Sequence, residues 1–178
     1  MLRVMSTALS LPKILIDADV FSHFYKGGRT DLLNHVFPGR LAIVDTVLTE
    51  LSRHPKISLQ LTQFITVYSV EKVTFPVQDD RITMEYATLS RSLDGGESAC
   101  LAVARYRGDY IASSNLKDIK TYCQKHNIQY YTTMDILHLA VEQSHLTEAE
   151  CDTFIHLVKS RNSRLPCNTY QEYLQRSK

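Results

Sequence analysis

Carboxylates stand at four points of this sequence where an apolar stretch gives way to a turn or a helix. Asp17 ends the run Lys13-Ile-Leu-Ile-Asp17, with Asp19 two residues further on. Glu50 lies in Asp45-Thr-Val-Leu-Thr-Glu50-Leu51, just after a second apolar run, Arg40-Leu-Ala-Ile-Val44. Glu97 follows the pair Gly95-Gly96 at the start of an Ala- and Leu-rich stretch. Ser113, Ser114, Asn115 and Asp118 follow a third run, Asp109-Tyr-Ile-Ala. Carboxylates brought within a few ångströms repel one another and hold one another's protons. A hard divalent cation removes that cost, and Mg²⁺ or Mn²⁺ takes oxygen ligands while keeping several waters. Such an ion makes its bound water a better nucleophile and stabilises an in-line phosphoryl transition state. If the apolar runs are neighbouring strands, this set of side chains is suited to phosphodiester hydrolysis.

Each residue also has a plainer explanation. An Asp at a strand end often only caps the next helix, and this accounts for Asp19 as readily as metal binding does. Asp45 and Asp94 fit caps better. Asp17 is the strongest candidate, because it ends a strand that reads as buried, where a charge needs a reason. Glu50, on an otherwise apolar helix face, ranks above Glu97, whose place in a first helical turn also suits the helix dipole. Ser113 and Ser114 have no His and Asp partners in any serine-hydrolase pattern; positioning a water or phosphate suits them better.

The elements that must carry these groups follow from periodicity. Short apolar runs at 13–17, 40–44 and 109–113 read as buried parallel strands, with a fourth short strand at 128–131 and an extended segment at 67–75. Helical spacing covers 21–37 with a break at Gly27-Gly28, then 58–64, 79–93, 98–107, 116–125 and 133–143. Thr147-Glu-Ala-Glu150 fits a capping box for a helix over 151–159. The alternation predicts an α/β fold, a three-layer α/β/α sandwich around a mainly parallel sheet. Sites in such sheets lie at the carboxyl ends of the strands.

At 178 residues with 44% hydrophobic and 22% charged residues, the chain suits one globular domain over residues 13–178, preceded by a loose leader over residues 1–12. No apolar run approaches a membrane span, and the opening residues lack a signal-peptide pattern. Four scattered cysteines, without a Cys-x-x-Cys pair, read as reduced thiols and a cytoplasmic protein. The net charge of +1 neither favours nor excludes nucleic acid. Lys159, Arg161, Arg164, Arg176 and Lys178 form a basic C-terminal stretch, either a solvated face or a phosphate-contacting rim.

Taken in order, these motifs resemble those of the PIN-domain nucleases. Ile14-Leu-Ile-Asp17-Ala-Asp19-Val-Phe21 resembles their opening strand motif, and Thr46-Val-Leu-Thr-Glu50-Leu51 their helix-borne Glu. Asp94-Gly-Gly-Glu97-Ser-Ala-Cys-Leu-Ala resembles the third motif of the VapC-type, toxin-like branch that carries Gly-Glu there. Tyr110-Ile-Ala-Ser-Ser-Asn115-Leu-Lys-Asp118 is similar to the fourth, with Asn115 where the family places an acid and Asp118 a turn away. The resemblance spans roughly Ile14 to Leu174. It implies an endoribonuclease dependent on Mg²⁺ or Mn²⁺, with Asp17, Glu50, Glu97 and Asp118 catalytic and Asp17, Asp19, Glu97, Asn115 and Asp118 about the metal. It further implies RNA as substrate, an antitoxin protein as partner and a homodimer.

Other readings compete. The Asp17-Ala-Asp19 pair also suits haloacid-dehalogenase-like phosphatases, but Phe21 stands where those carry Thr or Val, and Gly108-Asp109 precedes a strand rather than following one. A receiver domain fits less well, since no phosphoacceptor-and-Lys set appears in order in this sequence. A PIN-like binding module for RNA or protein, its catalysis weakened by Asn115, is the non-enzymatic alternative.

Overall fold

In a computed structural model, residues 11–176 are described. The sheet is built from runs that are apolar on both faces. In β1 (Ile14–Ile16) and β2 (Leu41–Val44) every residue is buried. That pattern belongs to parallel strands covered by helices on both sides. With β3 (Glu71–Val73), β4 (Tyr110–Ala112) and β5 (Tyr130–Tyr131) they form one sheet in the order β3-β2-β1-β4-β5. Every pairing is parallel, with Ile14 opposite both Leu41 and Tyr110, and Ile16 opposite Ala112. The edge strands are more exposed and carry the charged and tyrosine side chains.

Helices flank this sheet in a three-layer α/β/α arrangement, as the sequence predicts. They are α1 (Ala18–Lys26), α2 (Asp31–Val36), α3 (Asp45–Ser52), α4 (Pro55–Tyr68) and α5 (Asp80–Leu89) in the first half of the chain. In the second half come α6 (Gly95–Arg107), α7 (Leu116–His126), α8 (Thr133–Glu142), α9 (Glu148–Ser160) and α10 (Tyr170–Arg176). The capping box at Thr147 and Glu150 is present, and Thr132 with Asp135 forms another. All four cysteines are free and buried. Among the described residues no helix is long and apolar enough to cross a membrane.

Two local expectations give way. The segment at 67–75 is extended only in its second part: α4 runs on to Tyr68, Ser69 closes it in the left-handed conformation, and Glu71–Val73 pair as β3. Of its β-branched residues only Val67 belongs to the helix, while Val73 pairs in β3. Asp45 is not a cap either. Val44 holds the cap position of α3, while the Asp45 carboxylate accepts the Phe75 backbone N–H at 3.1 Å and ties β2 to the segment after β3. Residues 1–10 of the expected leader, and Lys178 of the basic stretch, lie outside the described residues.

Sheet order decides where a site can form. From β1 the chain moves outward to β2 and β3, then returns through α5 and α6 to place β4 on the other side of β1. The order reverses between β1 and β4, and a crevice opens beyond the carboxyl ends of those two strands. Asp17 and Ser113 are the first residues past those ends.

Candidate active site

Asp17 continues the ladder of β1, its backbone N–H donating to Ala112 O at 2.9 Å, and then caps α1 through an Ala18 N–H to Oδ1 bond of 2.8 Å. The capping reading is therefore correct as far as it goes. Yet the group is only 6% exposed, and burial pushes its pKa well above the usual range, with Asp19, Glu97 and Glu50 adding to the rise. A cap alone would be cheaper at the surface.

Asp19, in the first turn of α1, faces the loop after β4. Its Oδ2 accepts the Ser114 N–H at 2.9 Å, while its Oδ1 is buried with no hydrogen-bond partner among the described residues. Burial raises its pKa to about 6, partly offset by the Ser114 and Val20 N–H groups and helped by the Glu50 charge. An orphaned carboxylate oxygen in the interior is costly unless something positive reaches it.

Glu97 enters from the first turn of α6, a helix buried from Gly96 through Ala104. Its Oε1 accepts Ser113 Oγ–H at 3.4 Å and its Oε2 accepts the Asn115 amide at 3.2 Å. Burial raises its pKa to about 7, Asp19 and Asp118 add to it, and the two hydrogen bonds hold it back. Glu50 projects from α3 on the same face as Val47 and is half-buried; burial and the charge of Asp94 raise its pKa. Gly96 makes room for it. A Cβ at that glycine would lie 2.7 Å from Glu50 Oε2 and 3.7 Å from Asp17 Oδ1, so a side chain there would fill the space between the two carboxylates.

Asp17, Asp19, Glu50, Asp94, Glu97 and Asn115 thus line one small cavity of about 80 Å³. Asp118 is not among the lining residues. It is exposed, and its Oδ2 accepts the same Asn115 amide nitrogen at 2.8 Å, so it reaches the acids only through that amide. Ser113 stands beneath Glu97, and Ser114 turns away from the cavity.

Asp94 ranks low for chemistry in the sequence because it fits a cap; it does hold the cap position of α6, but makes no side-chain cap bond and faces the acids instead. His23 and Thr133 show no sequence signal at all. The His23 ring Nδ1 meets Thr133 Oγ1 at 2.8 Å, and that hydroxyl meets Ser114 Oγ at 2.8 Å. Ser114 is the residue whose N–H holds Asp19, so a buried polar chain fixes the carboxylate from behind. Burial lowers the His23 pKa to about 4, with Lys26 contributing, so the ring is neutral at physiological pH and adds no charge beneath the site. Neighbours 110 residues apart in sequence leave no spacing to read.

Among the described residues no group of three or more His, Cys, Asp or Glu is gathered so as to hold a metal ion. The donor chemistry nevertheless suits a hard cation: the cavity offers oxygen donors throughout, one of them buried and unpaired, with raised carboxylate pKa values and a glycine that keeps the space open.

A family model described as DUF3368, PIN domain, matches residues 13–178. The chain belongs to the PIN-domain family. Among solved structures, a chain in the crystal structure of DNA-bound VapBC from Salmonella typhimurium superposes with a TM-score of 0.52 at 14% identity, covering 69% of this chain and 99% of that one. A chain in VapBC2 from Rickettsia felis, bound to a DNA fragment from their promoter, gives a TM-score of 0.48 at 15% identity, covering 67% of this chain and 97% of that one. The first likeness supports the shared fold. No curated protein matches.

Proposed function

We propose that this PIN-domain protein is a metal-dependent endoribonuclease that hydrolyses RNA at the acidic cavity. The observation that carries the reading is the meeting of Asp17, Asp19, Glu50 and Glu97 at the switch point of the sheet, with a buried Asp19 oxygen left unpaired. Asp17, Asp19 and Glu97, with Asn115 beside them, would hold Mg²⁺ or Mn²⁺; Glu50 closes the cavity on the α3 side. When bound, the ion supplies an activated water and charge stabilisation at the phosphorus. The chain's own residues do the rest. Ser113 and the Asn115 amide fix the Glu97 rotamer, Ser114 fixes Asp19, and Glu97, its pKa raised to about 7, is suited to proton transfer near neutrality. Asp118 acts at one remove, by orienting Asn115.

The family and the VapBC neighbour also suit a toxin paired with an antitoxin protein, acting as a homodimer in the cytoplasm, where the four buried free thiols stay reduced. The test is cleavage of an end-labelled single-stranded RNA with Mg²⁺, with Mn²⁺ and with EDTA. Cleavage should need the metal, and Asp17→Asn should lower the rate by more than about 100-fold, beyond the cost of losing an outer-shell partner. The same variant should melt no lower than the parent without metal, since it removes a buried charge. Equal RNA cleavage by parent and variant would refute the assignment. RNA binding without cleavage under any metal would instead favour a binding module weakened by Asn115.

A further inference from the structure

Next to the acidic cavity lies a larger one of about 580 Å³ that the proposed chemistry does not use. Asn115 is a wall of both. From there the larger cavity runs past Ser114 and Lys117, the strand end at Tyr130, the Thr132–Asp135 turn of α8, and the segment Arg164–Cys167 with Arg176 of α10. We propose that this cavity is a docking groove for the phosphate backbone of the RNA strand on one side of the scissile bond. The proposal rests on the endoribonuclease reading above and adds to it where the strand lies.

Charge favours a polyanion here. Lys117 and Arg164 are exposed, and among the described residues neither has an ion-pair or hydrogen-bond partner. Arg176, the third cation of the lining, is held in place by donation to Pro166 O at 2.5 Å and by its pairing with Glu172. The one carboxylate of the lining, Asp135, is already satisfied. Its Oδ2 accepts from Thr132 N at 2.8 Å and Thr132 Oγ1 at 2.7 Å, and its Oδ1 accepts Tyr173 O–H at 2.6 Å. Between the cations the walls are Leu116, Tyr130 and Tyr173, flat or apolar surfaces on which bases can rest. Contiguity favours a strand over a small anion, because a chain passing over Glu97 and Asn115 enters the groove directly. On the far side of the acids a second cavity, sharing Glu50 and Asp94 and carrying Arg53 and Tyr86, offers the same strand a way out.

The basic C-terminal stretch therefore divides. Arg164 and Arg176 belong to this groove, whereas Lys159 and Arg161 are spent on Asn168 and on Lys26 O, as structural ties.

The experiment measures binding apart from cleavage. A short, unstructured, fluorescein-labelled RNA is titrated with the Asp17→Asn protein, and with the same protein carrying Lys117→Glu and Arg164→Glu, over a series of salt concentrations. The groove predicts about a tenfold or greater loss of affinity at low salt and a salt slope smaller by about 1.4, two single-strand phosphate contacts at about 0.7 each. Lys72→Glu, on the opposite edge strand, should change neither. The paired neutral variants, Lys117→Gln with Arg164→Gln, give the same direction should the reversed charges perturb folding. Unchanged affinity and slope in both pairs would overturn the proposal. So would displacement of the RNA by a short poly-glutamate peptide that binds more tightly, which would give the groove to a protein partner. Failure of the acids to cut RNA would leave the binding result untouched.

Discussion

On one wall of the acidic cavity, Asp17 and Glu97 are buried carboxylates and Asp19 a half-buried one with a buried oxygen, all held by backbone or hydroxyl donors. On the opposite wall, at the start of α7, a neutral amide stands between Glu97 and an exposed carboxylate, Asp118. The first wall stores electrostatic strain that a cation would relieve. The second relieves strain without one, since the Asn115 nitrogen donates to both Glu97 Oε2 and Asp118 Oδ2 and so keeps two negative groups apart. Metal dependence should therefore be concentrated on the first wall.

The largest contrast lies between the two glutamates. An otherwise apolar face on α3 ranks Glu50 above Glu97 in sequence, yet Glu97 is the buried one, with a pKa of about 7 and bonds to Ser113 and Asn115, while Glu50 is half-open to solvent. Glu97→Gln should cost about 100-fold or more in cleavage rate, and Glu50→Gln about 10-fold, with both variants folded; the smaller figure is the scale of a supporting group about a metal. Single-turnover cleavage at saturating Mn²⁺ makes the comparison. A larger loss at Glu50 would move the centre of the site toward α3.

Acidity gives a subtler test of the buried wall. Asp19 and Glu97 titrate near 6 and 7 when folded, above their unfolded values of about 4. Between those limits the folded state binds more protons than the unfolded one, so metal-free stability falls as pH rises from about 4 to 7. A cation that pairs with the ionised groups offsets this loss. The melting temperature in EDTA should thus drop by a few degrees over that range, and the gain from Mn²⁺ should grow with pH. A Mn²⁺ effect independent of pH would place the ion elsewhere.

The first wall was largely legible in sequence, and the second only in outline. Asp17 announces itself because an apolar strand that ends in a charge is a local signal, and Glu97 because Gly95-Gly96 opens a helix in front of it. The switch point was legible only as alternating strands and helices, since strand order is set by long-range pairing. What escaped was contact at a distance. Asp94 looks like a cap and is placed like one, but α3 packs so that its carboxylate faces Glu50. His23 and Thr133 support Asp19 through Ser114, across a fold that brings α1, β4 and α8 together. The reading of 67–75 as extended holds for Glu71–Val73 but begins too early, because α4 packs through Phe64 and Ile65 and keeps Val67 and Tyr68 in helix.

The smallest effects should appear on the second wall, where two substitutions pull in opposite directions. Asp118→Asn removes a charge that does not line the cavity and leaves a group still able to accept from the Asn115 amide. It should change the Mn²⁺ concentration for half-maximal cleavage by no more than about twofold, in keeping with an exposed charge screened by water. Asn115→Asp is different in kind. It deletes the donor shared by Glu97 and Asp118 and sets a third negative group between them. Without metal the variant should melt below the parent, because the amide that separated two charges has become another charge. With Mn²⁺ the added carboxylate becomes a ligand in reach, so the half-maximal concentration should fall by several-fold and the melting gain should exceed the parent's. The two readouts must move together if Asn115 lies at the cation's edge. A lower melting temperature with unchanged metal dependence would make the amide a spacer between acids, and would confine the metal to the wall formed by Asp17, Asp19 and Glu97.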